Sequence, residues 1–471
     1  MFRRYWIVLV LCFGTVAMAQ SNPEQEKMRA EARAAYEEQK FPEAIELTNR
    51  ILAQNPKDHA ALHLRASSRV EYGVYKRDLK EIREGIEDAR ESIKVGSASE
   101  IDYYLPYLYG MISLARIEGK KEHANVALDV AKSVLAKPNL KPEQKSNVYY
   151  QRASAYHFLQ DLKAAIEDYK AAIANTPSHI GSYMGLAQVY IDAQQEDKAL
   201  ETFTAAITAV PNHHLLYNNR GLFLQQQGKN QEAMADFNKA IELRDDFATA
   251  YTNRGYTSQV LGNLANAEAD FTKAISLEPR NALFASLRGT CRLSQGNTAG
   301  AIEDYTQAIR LYPENPVAHA DLGFARFFSR DFAKAYAEFD EASKIDENAM
   351  RYLNPWKIWS LVLAGKPDSI DEIAASSVKK PEAERDWIDE QVLFLKGDIA
   401  EKALVDFVQK TTDPKRKSLQ LCEAYYFIAE RRWQANDKAD ATKFYEFVIS
   451  TKERQLSAYR GAQYAIKAFG K

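Results

Sequence analysis

His59 and His63 stand four residues apart, the spacing that sets two imidazoles on one helix face where both could ligate a metal ion. No Glu completes a His-Glu-x-x-His motif and no third ligand is at hand, so the pair reads as two solvent-edge histidines. His213-His214 follows Pro211 in what reads as a turn and offers no more. The stretch from Gly221 to Lys229 has two glycines separated by six residues where a phosphate-cradling loop needs four, and Asn230 replaces its Ser or Thr. Cys291 has no neighbouring base, and no Gly-x-Ser-x-Gly elbow exists. The acidic pairs Glu167-Asp168 and Glu303-Asp304 read as solvated helix faces. No catalytic, cofactor-binding or metal-ligating set emerges, so the chemistry left to this chain is recognition.

Those acidic pairs recur at a fixed interval, and the interval organises the chain. From Ser146 to Ala349 a 34-residue unit is written six times without a gap. With Ser146 as position 1, position 20 is Ala165, Ala199, Ala233, Ala267, Ala301 and Ala335, and position 27 is Ala172, Ala206, Ala240, Ala274, Ala308 and Ala342. Position 24 is always aromatic: Tyr169, Phe203, Phe237, Phe271, Tyr305, Phe339. Position 8 is always small, from Ala153 and Ala187 to Gly221, Gly255, Gly289 and Gly323. Positions 20, 24 and 27 share one helical face, with a ring set between two methyl-sized side chains. A second stripe at positions 4, 8 and 11, as in Tyr217, Gly221 and Leu224, predicts a first helix, and Gly228 lies in the turn between the two. Pro177, Pro211, Pro279 and Pro313 at position 32 end the second helix by removing an amide donor. One such hairpin cannot bury its apolar faces, so neighbours must stack: the fold class is an all-α solenoid.

The unit resembles the tetratricopeptide repeat, whose aromatic, Leu-Gly, Tyr, Ala, aromatic, Ala and Pro fall at positions 4, 7, 8, 11, 20, 24, 27 and 32. Position 7 departs from that pattern, carrying Arg152, Arg220, Arg254 and Arg288 in place of Leu. The resemblance implies a right-handed superhelix whose inner groove is lined by the first helix of each hairpin and binds peptides or other proteins. It also implies that positions 2, 5, 6, 9, 12 and 13 face the groove. Gln151, Gln188, Asn219, Gln225, Asn253, Tyr256 and Gln259 occupy such positions and could hydrogen-bond an extended peptide. In the last regular unit Val317, Asp321, Phe324, Phe327 and Phe328 stand there instead. Either the helix opened by Trp356 folds back over these rings, or they form an aromatic anchor pocket for a partner. Paired Lys and Arg at clamp positions are missing, so capture of a C-terminal carboxylate is not expected.

Around the array, residues 1–19 read as a secretory signal: Arg3 and Arg4, an apolar run from Tyr5 to Val16, then Ala17-Met18-Ala19. Leu11 before Cys12 does not fit a lipid-anchoring site, and no later run approaches the roughly 20 apolar residues of a transmembrane helix. A periplasmic or secreted chain is expected. Residues 20–145 hold a weaker copy of the unit, with Ala44 at position 20 and Pro56 at position 32, and then two irregular hairpins. Residues 350–471 form a C-terminal region: a Trp356 helix ending near Gly365, stripes at Trp387–Leu395 and Leu404–Val408, a polar loop from Lys410 to Ser418, a last repeat and a capping helix. This region resembles the C-terminal part of bacterial NlpI-like lipoproteins, envelope scaffolds that hold peptidoglycan hydrolases and a processing protease. The 72 residues from 350 to 421 are too few for a typical catalytic domain of about 100–150 residues.

Composition excludes other classes. The 471 residues carry 62 Lys and Arg against 64 Asp and Glu, a net charge of -2, so no global field draws nucleic acid or an acidic membrane. Cys291 and Cys422 are expected as two unpaired thiols, Cys291 at position 10 where a buried small residue belongs. The expected function is a non-catalytic, exported scaffold without cofactors, binding protein or peptide partners through its groove in envelope biogenesis. A module for envelope glycan or an outer-membrane assembly component is the alternative.

Overall fold

The computed structural model describes residues 23–96, 101–454 and 456–469. The proposed signal segment 1–19, with Cys12, lies outside them. Among the described residues there are 25 α-helices and no strand, and the chain divides after Phe223 into two compact units.

The first unit stacks five helix hairpins, Pro23–Glu37 with Phe41–Gln54, His59–Lys76 with Leu79–Val95, Tyr104–Glu118 with Lys121–Leu135, Pro142–Phe158 with Leu162–Asn175, and Ile180–Asp192 with Glu196–Ala209. The helix His214–Gln226 follows, and the division falls within it. The first helices of successive hairpins lie side by side, so their outward faces form one continuous strip. The second unit continues with Asn230–Leu243, then pairs Ala248–Val260 with Leu264–Leu277, Ala282–Ser294 with Thr298–Leu311, and Pro316–Phe328 with Phe332–Ile345. Shorter helices follow at Asn354–Leu363, Ile370–Ser377, Trp387–Lys396 and Glu401–Gln409. A last hairpin, Pro414–Gln434 with Lys438–Ser450, leads to the terminal helix Ser457–Phe469. Lys415, Arg416 and Lys417 therefore belong to a helical first turn and not to a loop. Pro414 at the first helical position, where its missing N–H is no loss, starts that turn.

The packing rule read from the spacing is met atom by atom. All twelve alanines at positions 20 and 27 of the regular repeats are 0–1% exposed, and the six rings at position 24 are buried between them. Position 8 is small because that ring lies against it: a Cβ on Gly323 would stand 2.5 Å from the Phe339 ring, and one on Gly289 3.0 Å from Tyr305. A similar close approach fits the terminal helix to the last hairpin, where a Cβ on Gly461 would stand 2.5 Å from the Tyr426 ring. Position 15, in the turn, has positive φ in every regular repeat: Gly228, Gly262 and Gly296, but also Gln160, Gln194 and Arg330.

Candidate partner-binding face

The regular hairpins that carry Arg152, Arg254 and Arg288 are braced by a charge pair as well as by their rings. Position 7 of the first helix meets position 23 of the second: Arg152 donates to Asp168 from two nitrogens at 2.6 and 2.7 Å, and Arg254 donates to Asp270 at 2.9 and 2.6 Å. Arg288 does the same to Asp304, which also pairs with Arg292 at 3.1 Å. Asp168, Asp270 and Asp304 are buried. The position-23 acids are thus not solvated faces, as their sequence setting suggests, but buried partners of the arginines that replace Leu. The repeats carry the signal for this: where position 7 is Leu186, position 23 is Thr202. Where position 7 is Leu322, Glu338 turns to His319 at 2.8 Å and Arg326 at 3.5 Å.

On the strip of first helices in the first unit, the three polar candidates have different fates. Gln151 is 1% exposed, with an Nε2 that has no hydrogen-bond partner among the described residues. Gln188 is half-buried and donates to Asp192 of its own helix at 2.8 Å. Asn219 is buried, receiving a bond from Asn218 and donating to the Met184 Sδ at 3.0 Å. Asn219 and Gln151 are therefore too buried to form an open hydrogen-bonding ladder.

The irregular hairpins hold groups that spacing alone missed. His63 is buried against the Tyr103 ring at 4.9 Å, and His59 bonds the Tyr103 hydroxyl at 2.6 Å, so neither is a solvent-edge residue. Desolvation, with Arg33 and His59 adding to it, pushes the His63 imidazole down to about 3. Glu71 is 6% exposed, and among the described residues no hydrogen bond or ion pair reaches its carboxylate. Burial pushes it up to about 8. Its field reaches the hydroxyls of Tyr36, Tyr109 and Tyr150, all raised chiefly by desolvation. Counting from His59 as position 1, Glu71 is at position 13, a groove position that the intruding charged segment obscures in the sequence.

In the second unit, Gln225 is engaged internally, its Nε2 donating to the Thr257 Oγ1 at 2.5 Å. Asn253 is half-buried and its carbonyl accepts from Thr257 at 2.8 Å. Gln259 is half-buried, and Tyr256 is 50% exposed beside Val260 at 53%. The aromatic cluster is covered. Phe324, Phe327 and Phe328 are all buried: Trp356 stands edge-on to Phe324 at 5.1 Å and to Phe327 at 5.2 Å, while Tyr464 stacks on Phe328 at 5.1 Å. Tyr464 also donates to the Leu293 carbonyl at 2.7 Å, which pins the terminal helix across two repeats. Of the two alternatives the first holds: the Trp356 helix folds back over the rings, which form an internal seam and not an open anchor pocket, because rings this large gain more from burial by their own chain than from waiting in water. Asp321 lies at the edge of the seam, where desolvation pushes its carboxyl up to about 6 against the pull of Arg460. Cys291 and Cys422 are buried free thiols, raised by burial to about 11 and about 12.

Models of the tetratricopeptide repeat family match residues 146–179, 180–213, 214–247, 252–316 and 292–354. The first three begin where the 34-residue units begin. This chain is a tetratricopeptide repeat protein. No curated protein matches it. Solved structures of other proteins resemble parts of the chain. PilW, a widely conserved type IV pilus biogenesis factor, is 19% identical with a TM-score of 0.39, over 45% of this chain and 98% of PilW. A tetratricopeptide repeat protein from Parabacteroides merdae is 19% identical with a TM-score of 0.35, over 55% of this chain and 98% of that one. YrrB, described as a TPR protein with an unusual peptide-binding site, is 22% identical with a TM-score of 0.31, over 36% of this chain and 88% of YrrB. Among the described residues of this tetratricopeptide repeat protein, no helix is long and apolar enough to cross a membrane. No group of three or more His, Cys, Asp or Glu there could hold a metal ion.

Proposed function

We propose that this protein is an exported, non-catalytic scaffold that holds protein or peptide partners on the face formed by its first helices, in the service of cell-envelope biogenesis. Tetratricopeptide repeats are protein-binding modules, and the reading rests on that family membership together with one local observation. Tyr256 and Val260, four residues apart on the helix Ala248–Val260, stand half exposed at 50% and 53% at positions that the repeat pattern assigns to the groove. An exposed Tyr beside an exposed Val, with the half-buried Gln259 next to them, supplies an apolar contact and a polar edge, the combination common at protein interfaces. Export is supported by the sequence of residues 1–19.

The test is a pull-down from an envelope fraction with the full chain and with a Tyr256→Ser, Val260→Ser double variant. Specific proteins retained by the first and lost by the second, at unchanged melting temperature, support the reading. Retention of peptidoglycan fragments alone, or an empty pull-down, counts against it.

A further inference from the structure

We infer that a recess along the helix Glu196–Ala209 in the first unit is a docking site for a basic segment of a partner protein, with a lysine or arginine side chain seated between Asp197 and Glu201. The recess has a volume of about 980 Å³, room for a short stretch of peptide. Asp197, Glu201, Ala205 and Ala209, each four residues after the last, run along one face of the helix and line it. Tyr183 enters from the first helix of the same hairpin, Ile180–Asp192, at position 4, which is not a groove position. The site therefore adds a contact point separate from the first-helix face.

Three observations point to a cation. First, the lining offers mostly acceptors. Asp197 and Glu201 are exposed carboxylates with no ion pair or hydrogen bond among the described residues. The Thr204 and Thr208 hydroxyls donate to their own helix, to the Leu200 and Thr204 carbonyls at 2.9 and 3.0 Å, which leaves their oxygens to accept. Second, Tyr183 is 7% exposed, yet its hydroxyl has no hydrogen-bond partner among the described residues. A phenol buried to that degree ordinarily finds one, and a bound peptide would supply it. Third, the charge pattern belongs to this repeat. Acids at both positions 18 and 22 occur in no other regular unit, and where position 22 is acidic elsewhere, at Glu167 and Glu303, a base shares the face at Lys170 or Arg310. Asp197 lies in the first turn, where the helix dipole favours an acid, but Glu201 is beyond that turn. Like charges four residues apart repel, and a cation between them offsets the repulsion. The chain's own cations leave the pair open: Lys198 donates to Gln195 at 2.8 Å, and Arg220 donates to Thr204 at 3.4 Å without reaching either acid. Leu200 and Ala205 supply carbon surface for the stem of the incoming side chain.

The experiment uses the full chain and two fluorescein-labelled hexapeptides, alternating Lys and Ser or alternating norleucine and Ser, with binding read by fluorescence anisotropy at low salt. Wild type should prefer the lysine peptide about fivefold. The double variant Asp197→Asn, Glu201→Gln should lose the preference at the wild-type melting temperature. Tyr183→Phe, which keeps the ring, should weaken the lysine peptide about twofold. Glu167→Gln, an exposed acid at position 22 of the preceding repeat, should leave the preference unchanged. A wild type without a preference overturns the site, as does a preference that survives the double variant or falls equally in Glu167→Gln, since the attraction would then be general. Should the double variant melt lower, Tyr183→Phe decides, and unchanged binding there overturns the site. The Tyr256→Ser, Val260→Ser variant should keep the lysine preference, so failure of the first-helix reading and failure of this one are told apart.

Discussion

Arg254 and Asp270, sixteen residues apart and on different helices of one hairpin, form a two-point ion pair at 2.9 and 2.6 Å, with the carboxylate buried. Arg254 also donates to Asn238 of the preceding repeat at 2.8 Å, so one guanidinium ties a hairpin to itself and to its neighbour. Removing one member of such a pair strands the other. Asp270→Ala should therefore destabilise the second unit by about 2–3 kcal/mol, read by urea denaturation. The repeat beginning at Ile180 shows the apolar alternative, Leu186 with Thr202. The double change Arg254→Leu, Asp270→Thr should recover more than half of the loss, and failure to recover would mean that the link to Asn238 matters more.

Gly323 and Gly289 rank the tolerance of position 8. A Cβ at Gly323 would meet Phe339 at 2.5 Å, closer than the 3.0 Å approach to Tyr305 at Gly289. Overpacking of a filled core costs about 1–3 kcal/mol. Gly323→Ala should lower the melting temperature more than Gly289→Ala, and equal effects would show that the backbone yields freely.

Gln194 holds φ at +58° in the turn where three of the other regular repeats have glycine. A side chain in the left-handed region costs about 1–2 kcal/mol that glycine does not incur, partly offset by glycine's greater unfolded freedom. Gln194→Gly should raise stability by about 0.5–1 kcal/mol. A lowered melting temperature would show that the Gln194 side chain contributes packing not evident from its exposed position.

Asp321 makes the second unit sensitive to pH. Burial raises its carboxyl to about 6, with Tyr305 and Tyr352 facing it and Arg460 pulling the other way. Between about pH 4 and 6 the folded state then binds more protons than the unfolded chain, so this contribution is complete below that window and is lost as pH rises through it. Asp321→Asn should melt higher than wild type at pH 7.5 and no higher at pH 4. A gap that stays constant with pH would locate the effect elsewhere.

Tyr464 fastens the terminal helix by its ring on Phe328 and its hydroxyl on the Leu293 carbonyl. Tyr464→Phe should cost about 1 kcal/mol, the worth of one hydrogen bond. Tyr464→Ala should cost about 3 kcal/mol and increase binding of an apolar dye as Phe328 is uncovered. Dye binding equal to wild type would mean that Trp356 alone seals the seam.

The array was legible because its packing is local and repeated. Positions 8, 20, 24 and 27 meet within one hairpin, so the ring of Phe339 and the methyls of Ala335 and Ala342 specify their own arrangement wherever that spacing recurs. Six copies also served as an internal alignment, in which Arg at position 7 travels with Asp at position 23, although charge alone does not reveal that the acid is buried. The fate of the first-helix face was not legible, because what covers it comes from far along the chain. Trp356 and Tyr464 close over Phe324, Phe327 and Phe328, the last from 136 residues away, and sequence periodicity does not encode such a distance. Glu71 was hidden for a related reason: its burial depends on helices packed against its own, which the spacing on His59–Lys76 does not reveal. Sequence determined the repeating unit and its interior; tertiary structure decided which of the outward residues remain free for a partner, since that depends on long-range burial.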